Sequence, residues 1–156
     1  MANHIVLYQP EIPSNTGNIA RTCAATQTPL HLVRPLGFST EDRMLKRAGV
    51  DYWDFVDIHY HDSLDEVFST LAGADFYLLT KHGKQFYSDF SFDQPRDQVF
   101  IFGKESTGLP PEVIKAHEDK CLRMPMTGEV RALNLSNVAC VMIYEAMRQQ
   151  GFPDME

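Results

Sequence analysis

The sequence contains few cysteines and no long apolar run. Its three cysteines, Cys23, Cys121 and Cys140, are odd in number and far apart, which argues against a disulfide scaffold and predicts a reducing, cytoplasmic environment. No apolar run approaches the roughly 18 residues that span a bilayer, and the first residues lack the features of a signal peptide. Repeats, low-complexity tracts and Ser/Gly linkers are also absent. We therefore expect no membrane segment and a single domain over residues 1–156.

The sequence also has fewer basic than acidic residues. The chain has 14 basic and 21 acidic residues and a formal net charge of −7. This balance excludes a uniformly basic coat for nucleic acid, but it leaves room for a local basic patch, because phosphate binding depends on where the cations lie. Hydrophobic residues make up 44% of the chain and charged residues 22%, which is typical of a globular protein.

Short apolar runs alternate with helical patterns along the whole chain. The predicted strands are His4–Tyr8, His31–Val33, Phe55–Tyr60, Phe76–Leu79, Val99–Phe102 and Cys121–Met124. The predicted helices begin at Asn15 or Thr16, Ser39, Ser63, Pro110 and Leu135. The strands are apolar throughout rather than alternating, so the sequence predicts an α/β fold with a mostly parallel sheet and helices on both faces.

In such sheets ligands bind outside the carboxyl ends of the strands, which directs attention to three loops. Loop one, residues 9–21, enters a helix through Asn15 and Gly17 and lacks the dinucleotide fingerprint. Its Arg21 is expected about one turn inside the helix. There it could hold a phosphate beside the helix N-terminus, or it could be an ordinary surface arginine beside a helix cap.

Loop two, residues 102–110, brackets four residues between Gly103 and Gly108. Leu109 and Pro110 follow where a phosphate loop needs Lys and Ser or Thr, so NTP hydrolysis is rejected. The loop could fold around a flat ligand such as adenosine, or it could be a tight turn. Loop three, residues 123–137, collects polar side chains at the start of a helix that is apolar on more than one face, which predicts burial in the core or against a second copy of the chain.

Metal binding has little support in the sequence. His59 and His61 lie on one side of a predicted strand, but no cluster of cysteines or carboxylates accompanies them at ligand spacing, so no metal site is expected.

Three ordered segments resemble the three motifs of the SpoU, or ribose 2′-O, branch of the SPOUT methyltransferases. They are PEIPSNTGNIART, FGKESTGLP and RMPMTGEVRALNLSNVACVMIYEAMRQ, and the similarity covers essentially the whole chain. The resemblance implies an α/β sheet with a deep C-terminal trefoil knot, a homodimer with its active site near the subunit interface, and S-adenosylmethionine as methyl donor, released as S-adenosylhomocysteine without a metal. Members of this short length, without an extra RNA-binding domain, methylate the wobble nucleotide in the anticodon stem-loop of leucine tRNAs.

The resemblance also implies site residues. Arg21 would hold a phosphate and help to activate the ribose hydroxyl, and Asn15, Glu105 and Ser136 would order the catalytic site. Family members often have Ser where this chain has Ala132, which removes one hydroxyl from the cofactor site. The implied cofactor-binding residues are Leu78, Thr80, Gly103, Glu105, Gly108, Met124, Met126, Ala132 and Leu133. The implied RNA-binding residues are Arg21, Lys81, Arg131 and Tyr144.

Three functions stay open at this point. The first is 2′-O-methylation of a cytidine or modified uridine at the tRNA wobble position. The second is the same reaction at another tRNA or rRNA site. The third is a non-enzymatic module that binds a nucleotide or a partner protein, which the net charge of −7 modestly favours.

Overall fold

The computed structural model describes residues 1–49 and 52–156, in seven strands and five α-helices. The strands are β1 Asn3–Tyr8, β2 Leu30–Val33, β3 Ile58–His61, β4 Asp75–Leu79, β5 Gln85–Phe86, β6 Gln98–Phe102 and β7 Cys121–Arg123. The helices are α1 Pro13–Thr26, α2 Arg43–Gly49, α3 Leu64–Thr70, α4 Pro111–Ala116 and α5 Leu135–Gln149.

The strands form one sheet in the order β3-β2-β1-β6-β4-β7-β5, and every pairing is parallel. In the centre of the sheet, Leu7 of β1 lies opposite Leu32 of β2 and Phe102 of β6. The predicted parallel α/β sheet is therefore confirmed, and the carboxyl ends of its strands point to one edge.

Helices cover both faces of the sheet because the central strands are apolar on both sides. Ile5 and Leu7 of β1 face a core built with α1 and α5, whereas Val6 between them faces a second core built with α3 and α4. Successive side chains of a strand point to opposite faces, so a continuous apolar run fills two cores at once.

Several element boundaries differ from the sequence prediction. Helix α1 begins at Pro13, whose fixed φ suits the first helical position, and Ile12 precedes it without a side-chain cap. Asn15 and Thr16 therefore lie inside the first turn and are not caps. Strand β3 begins at Ile58 because residues Trp53–Phe55 form a 3₁₀ turn, and the two-residue strand β5 was not predicted at all.

Residues from the first strand and from the end of the last helix hydrogen-bond to each other beside the first core. The Asn3 side-chain amide donates to the Gln150 oxygen (2.9 Å), and the Gln150 amide donates back to Asn3 (2.8 Å). Helix α5 thereby packs beside the first strand, although it is the last element of the chain. Within the described residues, no helix is long and apolar enough to cross a membrane.

Candidate functional site

A cleft of about 820 Å³ opens at the carboxyl ends of β4, β6 and β7. Its lining residues come from four segments, 12–15, 79–82, 102–109 and 122–138, together with Ile114 of α4. This edge is where parallel sheets bind their ligands, and the volume falls within the roughly 300–1,000 Å³ of small-molecule sites. All three loops singled out in the sequence contribute to it.

Loop two is a tight closed turn whose shape requires its two glycines. The Gly108 N–H donates to the Lys104 carbonyl oxygen at 2.8 Å, and Gly108 has a φ of 72°, which favours glycine. A Cβ atom added to Gly103 would lie 2.4 Å from the Gly108 carbonyl carbon. Any side chain at Gly103 would therefore force the loop open.

Two carboxylates tie loop two to loop one. Glu105 accepts hydrogen bonds from the backbone N–H groups of Glu11 (2.9 Å) and Ile12 (2.8 Å). Glu11 in turn accepts from the Ser106 N–H (2.9 Å) and the Ser106 hydroxyl (2.7 Å). We call these four residues, Glu11, Ile12, Glu105 and Ser106, the carboxylate clasp. Glu11 was missed by the sequence analysis, which had no means to pair residues so far apart in the chain.

The two carboxyl groups of the clasp have opposite pKa shifts. Burial raises the pKa of the Glu105 carboxyl, against the effect of the two amide hydrogen bonds that it accepts. The hydrogen bonds from Ser106 lower the pKa of the Glu11 carboxyl, and the nearby charge of Lys104 adds to that effect. Glu11 is thus held in its ionised form at neutral pH.

Loop three joins loop one through a pair of asparagines. Asn134 caps α5, because its side-chain oxygen accepts from the N–H groups of Ser136 (2.9 Å) and Asn137 (3.4 Å). The Asn134 side-chain amide donates to the oxygen of the buried Asn15 at 3.1 Å. The Ser136 hydroxyl also donates to Asn134, so Ser136 belongs to the helix cap and Asn15 to the joint between loops.

The cleft concentrates positive charge on an acidic protein. Four of the 14 basic residues of the chain line it, whereas Glu105 is the one carboxylate among the lining residues. The four are Lys81, Lys104, Arg123 and Arg131. This local basic patch is what a polyanion would need on a chain of net charge −7.

The structure brings together eight of the nine residues predicted to bind the cofactor. Thr80, Gly103, Glu105, Gly108, Met124, Met126, Ala132 and Leu133 all line the cleft. Leu78 does not, because its side chain is fully buried in the second core, and its neighbour Leu79 lines the cleft instead. Side chains alternate along β4, so only one of the two leucines can face this way.

Two of the predicted RNA-binding residues lie outside the cleft. Arg21 follows Pro13 by more than two helical turns, not one, because α1 begins earlier than expected. Its exposed guanidinium carbon lies 4.9 Å from the centre of the Tyr52 ring. Tyr144 lies on α5 and is 38% exposed. Lys81 and Arg131 are exposed side chains at the cleft itself.

The predicted histidine strand belongs to a buried chain of imidazoles. His31 Nε2 lies 3.0 Å from His4 Nδ1, and His31 Nδ1 lies 2.9 Å from His61 Nε2, so each pair shares a hydrogen. His4 Nε2 reaches Asp97 at 2.9 Å, and His59 stacks on His31 with the ring centres 4.8 Å apart. Among the described residues, no group of three or more His, Cys, Asp and Glu side chains has an arrangement that could hold a metal ion.

The chain is similar to known proteins over nearly its full length. The model of the family described as "SpoU rRNA Methylase family" matches residues 2–144. A relative from Geobacillus stearothermophilus is 63% identical over 153 residues, which cover 97% of this chain and 98% of that one. A Methylovorus glucosotrophus protein named tRNA (cytidine(34)-2′-O)-methyltransferase is 48% identical, with 95% and 96% covered. A solved structure described as "Structural insights into the 2-OH methylation of C/U34 on tRNA" is 45% identical, with a TM-score of 0.89 and 97% of each chain covered.

Proposed function

This chain belongs to the SpoU methylase family, and from that premise we propose that it methylates the ribose 2′-oxygen of the wobble nucleotide in tRNA, with S-adenosylmethionine as donor. The observation that carries the proposal is the basic cleft at the carboxyl ends of the strands. Its support is the similarity to a relative named for cytidine 34 of tRNA and to a structure described for C/U34.

The cleft fits the proposed donor in size and lining. Apolar side chains, among them Leu79, Met124 and Leu133, line it together with residues 103–108 of loop two. We propose that the eight predicted residues that line the cleft bind S-adenosylmethionine, with Leu79 in the place expected for Leu78. The hydroxyl that Ala132 lacks is not needed for this, since backbone groups in the same loop can still bind.

When bound, S-adenosylmethionine supplies a methyl group that is already activated on sulfur. The residues of the chain must then align the ribose hydroxyl with that methyl group and let its proton leave. Alignment alone can lower the barrier by up to about 7–11 kcal/mol, and proton transfer to a positioned group can add roughly a hundred- to ten-thousandfold. We assign alignment to Asn15, Glu105 and Ser136. Glu105 and Asn15 hydrogen-bond across from one loop to another, and Ser136 holds Asn134, the partner of Asn15, in place.

Arg21 is assigned to the RNA. A guanidinium binds phosphate in a planar fork and is always charged, so it can hold the phosphate next to the target ribose but is a poor base. We propose that Lys81 and Arg131 at the cleft, and Tyr144 on α5, contact the anticodon stem-loop alongside it. Leucine tRNAs are the substrates that the motif resemblance favours, and their methylation would take place in the cytoplasm.

We further propose that the enzyme is a homodimer with its active site near the subunit interface. Helix α5 buries Met142, Ile143 and Met147 in the core, yet it leaves Val141 46% exposed and Tyr144 38% exposed on its outer side. A second copy of the chain would cover these side chains. It would also offer a route by which Arg21, which lies outside the cleft of its own chain, could reach an active site.

The deep trefoil knot is likewise proposed from the resemblance. Strand β7 lies between β4 and β5, and α5 then returns to the first core beside β1. The segment between β5 and β6 lies on α5, where the Phe92 N–H donates to Gln149 at 2.7 Å and Gln149 donates to the Phe90 carbonyl at 3.0 Å. We propose that the chain between β7 and α5 passes through the loop that residues 80–97 form.

The function is tested by incubating the protein with labelled S-adenosylmethionine and total tRNA that lacks the modification, followed by mapping of the labelled nucleotide. Label at the wobble ribose of leucine tRNAs is expected. Label elsewhere would establish a different RNA site, and the absence of label would favour a non-enzymatic module. Arg21→Glu is expected to abolish methylation while it changes S-adenosylmethionine affinity by no more than a few-fold. Equal activity in that variant would remove Arg21 from the mechanism.

A further inference from the structure

The carboxylate clasp joins the two loops that the proposed function assigns to different ligands. Loop two, with Gly103 and Gly108, is the part of the cleft proposed to bind the methyl donor. Loop one continues directly into α1, which carries Asn15 and Arg21. The four hydrogen bonds of 2.7–2.9 Å in the clasp connect these two loops. A change in the position of loop two must therefore act on the start of α1.

The two loops that the carboxylate clasp joins, loop one and loop two, are each held in place by further contacts. Loop two is closed on itself between Lys104 and Gly108, so Glu105 and Ser106 move with it as a unit. Loop one is packed against the segment after β2, because a Cβ atom at Gly37 would lie 2.8 Å from the Glu11 Cα atom. The Gly37 N–H donates to the Pro10 carbonyl oxygen at 2.9 Å. Because both loops are held in this way, a displacement of loop two is passed on to loop one through the clasp.

The two ends of the clasp are not equivalent. Glu105 lines the cleft, and it accepts hydrogen bonds from two backbone N–H groups just before the start of α1. Glu11 is not among the residues that line the cleft, and its carboxylate bonds only to Ser106 among the described residues. Glu11 therefore acts on the site through loop two and not by direct contact with a ligand.

We propose that Glu11 is a positioning residue that couples binding of the methyl donor to binding of the RNA. The proposal rests on the proposed function. When the donor orders loop two, the hydrogen bonds from Ser106 to Glu11 hold loop one and the start of α1 in the arrangement that receives the RNA. Because such coupling is reciprocal, bound RNA must tighten the donor by the same factor.

The coupling is measured as the ratio of tRNA dissociation constants without and with saturating S-adenosylhomocysteine, the donor's demethylated product. The tRNA is the one that the wild-type protein methylates. In the wild-type protein we expect tRNA to bind at least about fivefold more tightly with S-adenosylhomocysteine present. In Glu11→Gln this ratio should fall below twofold, because both hydrogen bonds from Ser106 end on one oxygen of Glu11, and an uncharged amide oxygen accepts weaker hydrogen bonds than a carboxylate oxygen does. Affinity for S-adenosylhomocysteine alone should stay within about threefold of the wild type.

Three matched variants distinguish a specific loss of coupling from a general loss of structure. Ser106→Ala keeps its backbone N–H bond but loses the hydroxyl, so its coupling should be intermediate. Ser106→Thr keeps the hydroxyl and should restore the wild-type ratio. Glu112→Gln removes an exposed carboxylate in the first turn of α4, outside the clasp and the cleft, and should leave the ratio and the methylation rate unchanged.

Each outcome bears on a different claim. If Glu11→Gln retains the wild-type ratio, or if it loses S-adenosylhomocysteine affinity in parallel with tRNA affinity, Glu11 is not a coupling residue. If the wild-type protein methylates tRNA but shows no ratio above twofold, the coupling is refuted and the proposed function stands. If the wild-type protein neither binds S-adenosylhomocysteine nor methylates tRNA, the proposed function itself fails.

Discussion

Acid should destabilise the fold through one buried imidazole, that of His31. Its side chain is 2% exposed and lies between His4 and His61, with His59 stacked on its ring. Burial, and then the neighbouring His4, His59 and His61, lower the pKa of His31 from 6.5 to about 3, although Asp57 acts in the opposite direction. The folded protein therefore holds His31 neutral at a pH where the unfolded chain would protonate it.

Proton linkage gives the sign and the size of the change in the free energy of unfolding with pH. Between pH 6.5 and pH 3 the unfolded chain binds more protons than the folded one at this position, so the stabilisation is complete above pH 6.5 and is lost as the pH falls. At 1.36 kcal/mol per pH unit, His31 alone should reduce the free energy of unfolding by about 2 kcal/mol between pH 8 and pH 5, and by at most about 5 kcal/mol near pH 3. Burial also lowers the pKa of His61, which adds a loss of the same sign, partly offset by Glu66.

The assay is equilibrium urea unfolding at intervals from pH 8 to pH 5, where few carboxylates have begun to titrate. His31→Gln, which cannot be protonated, should flatten the pH dependence by about 2 kcal/mol over this range. It can also lower stability at every pH, but that does not alter the slope. His82→Gln, at an exposed histidine, should keep the wild-type slope. A wild-type slope in His31→Gln would refute the reasoning.

Other predictions concern the cleft, the cap of helix α5 and the arrangement of the proposed subunits. Gly103→Ala should weaken S-adenosylmethionine binding at least tenfold by calorimetry, since its Cβ would lie 2.4 Å from Gly108, whereas Gly128→Ala, with nothing within 4 Å, should bind normally. Asn134→Ala should lower the free energy of unfolding by about 1 kcal/mol through loss of the α5 cap; a change as small as that of Asn137→Ala would count against the cap. If each active site takes its cleft from one subunit and Arg21 from the other, a mixture of Arg21→Glu and Gly103→Ala proteins that form hybrid dimers should methylate tRNA at a donor concentration too low for Gly103→Ala alone. Hybrid dimers that stay inactive would place both residues in one subunit.

The regular part of this fold could be predicted from sequence because its signals are local. Apolar runs identified six of the seven strands, and the polar Asn134 and Ser136 at the start of an apolar helix predicted that one of the two caps it; the structure shows that the cap is Asn134. Strand β5 has only the two residues Gln85 and Phe86, too few to show any periodicity. The start of α1 was misplaced because Asn15 resembles a cap, whereas Pro13 sets the first turn.

The joints between loops could not be predicted, because they depend on which loops become neighbours. Glu11 and Ser106 are adjacent only because β1 and β6 pair side by side in the sheet. The histidine chain has the same origin: His59 and His61 were visible as a pair, but His4 and His31 lie on other strands whose register no local pattern reveals.

The position of β1 has a consequence for how the protein is made. This strand leaves the ribosome before the other six strands of the sheet, yet one of its two sheet neighbours is β6, and the amide partner of Asn3 is Gln150, which follows α5. A nascent chain therefore carries an apolar strand with one unpaired edge until most of the protein has been synthesised, and such edges promote association between chains. We expect chains that stall during translation to need chaperones, and truncations before α5 to aggregate instead of forming a smaller folded core.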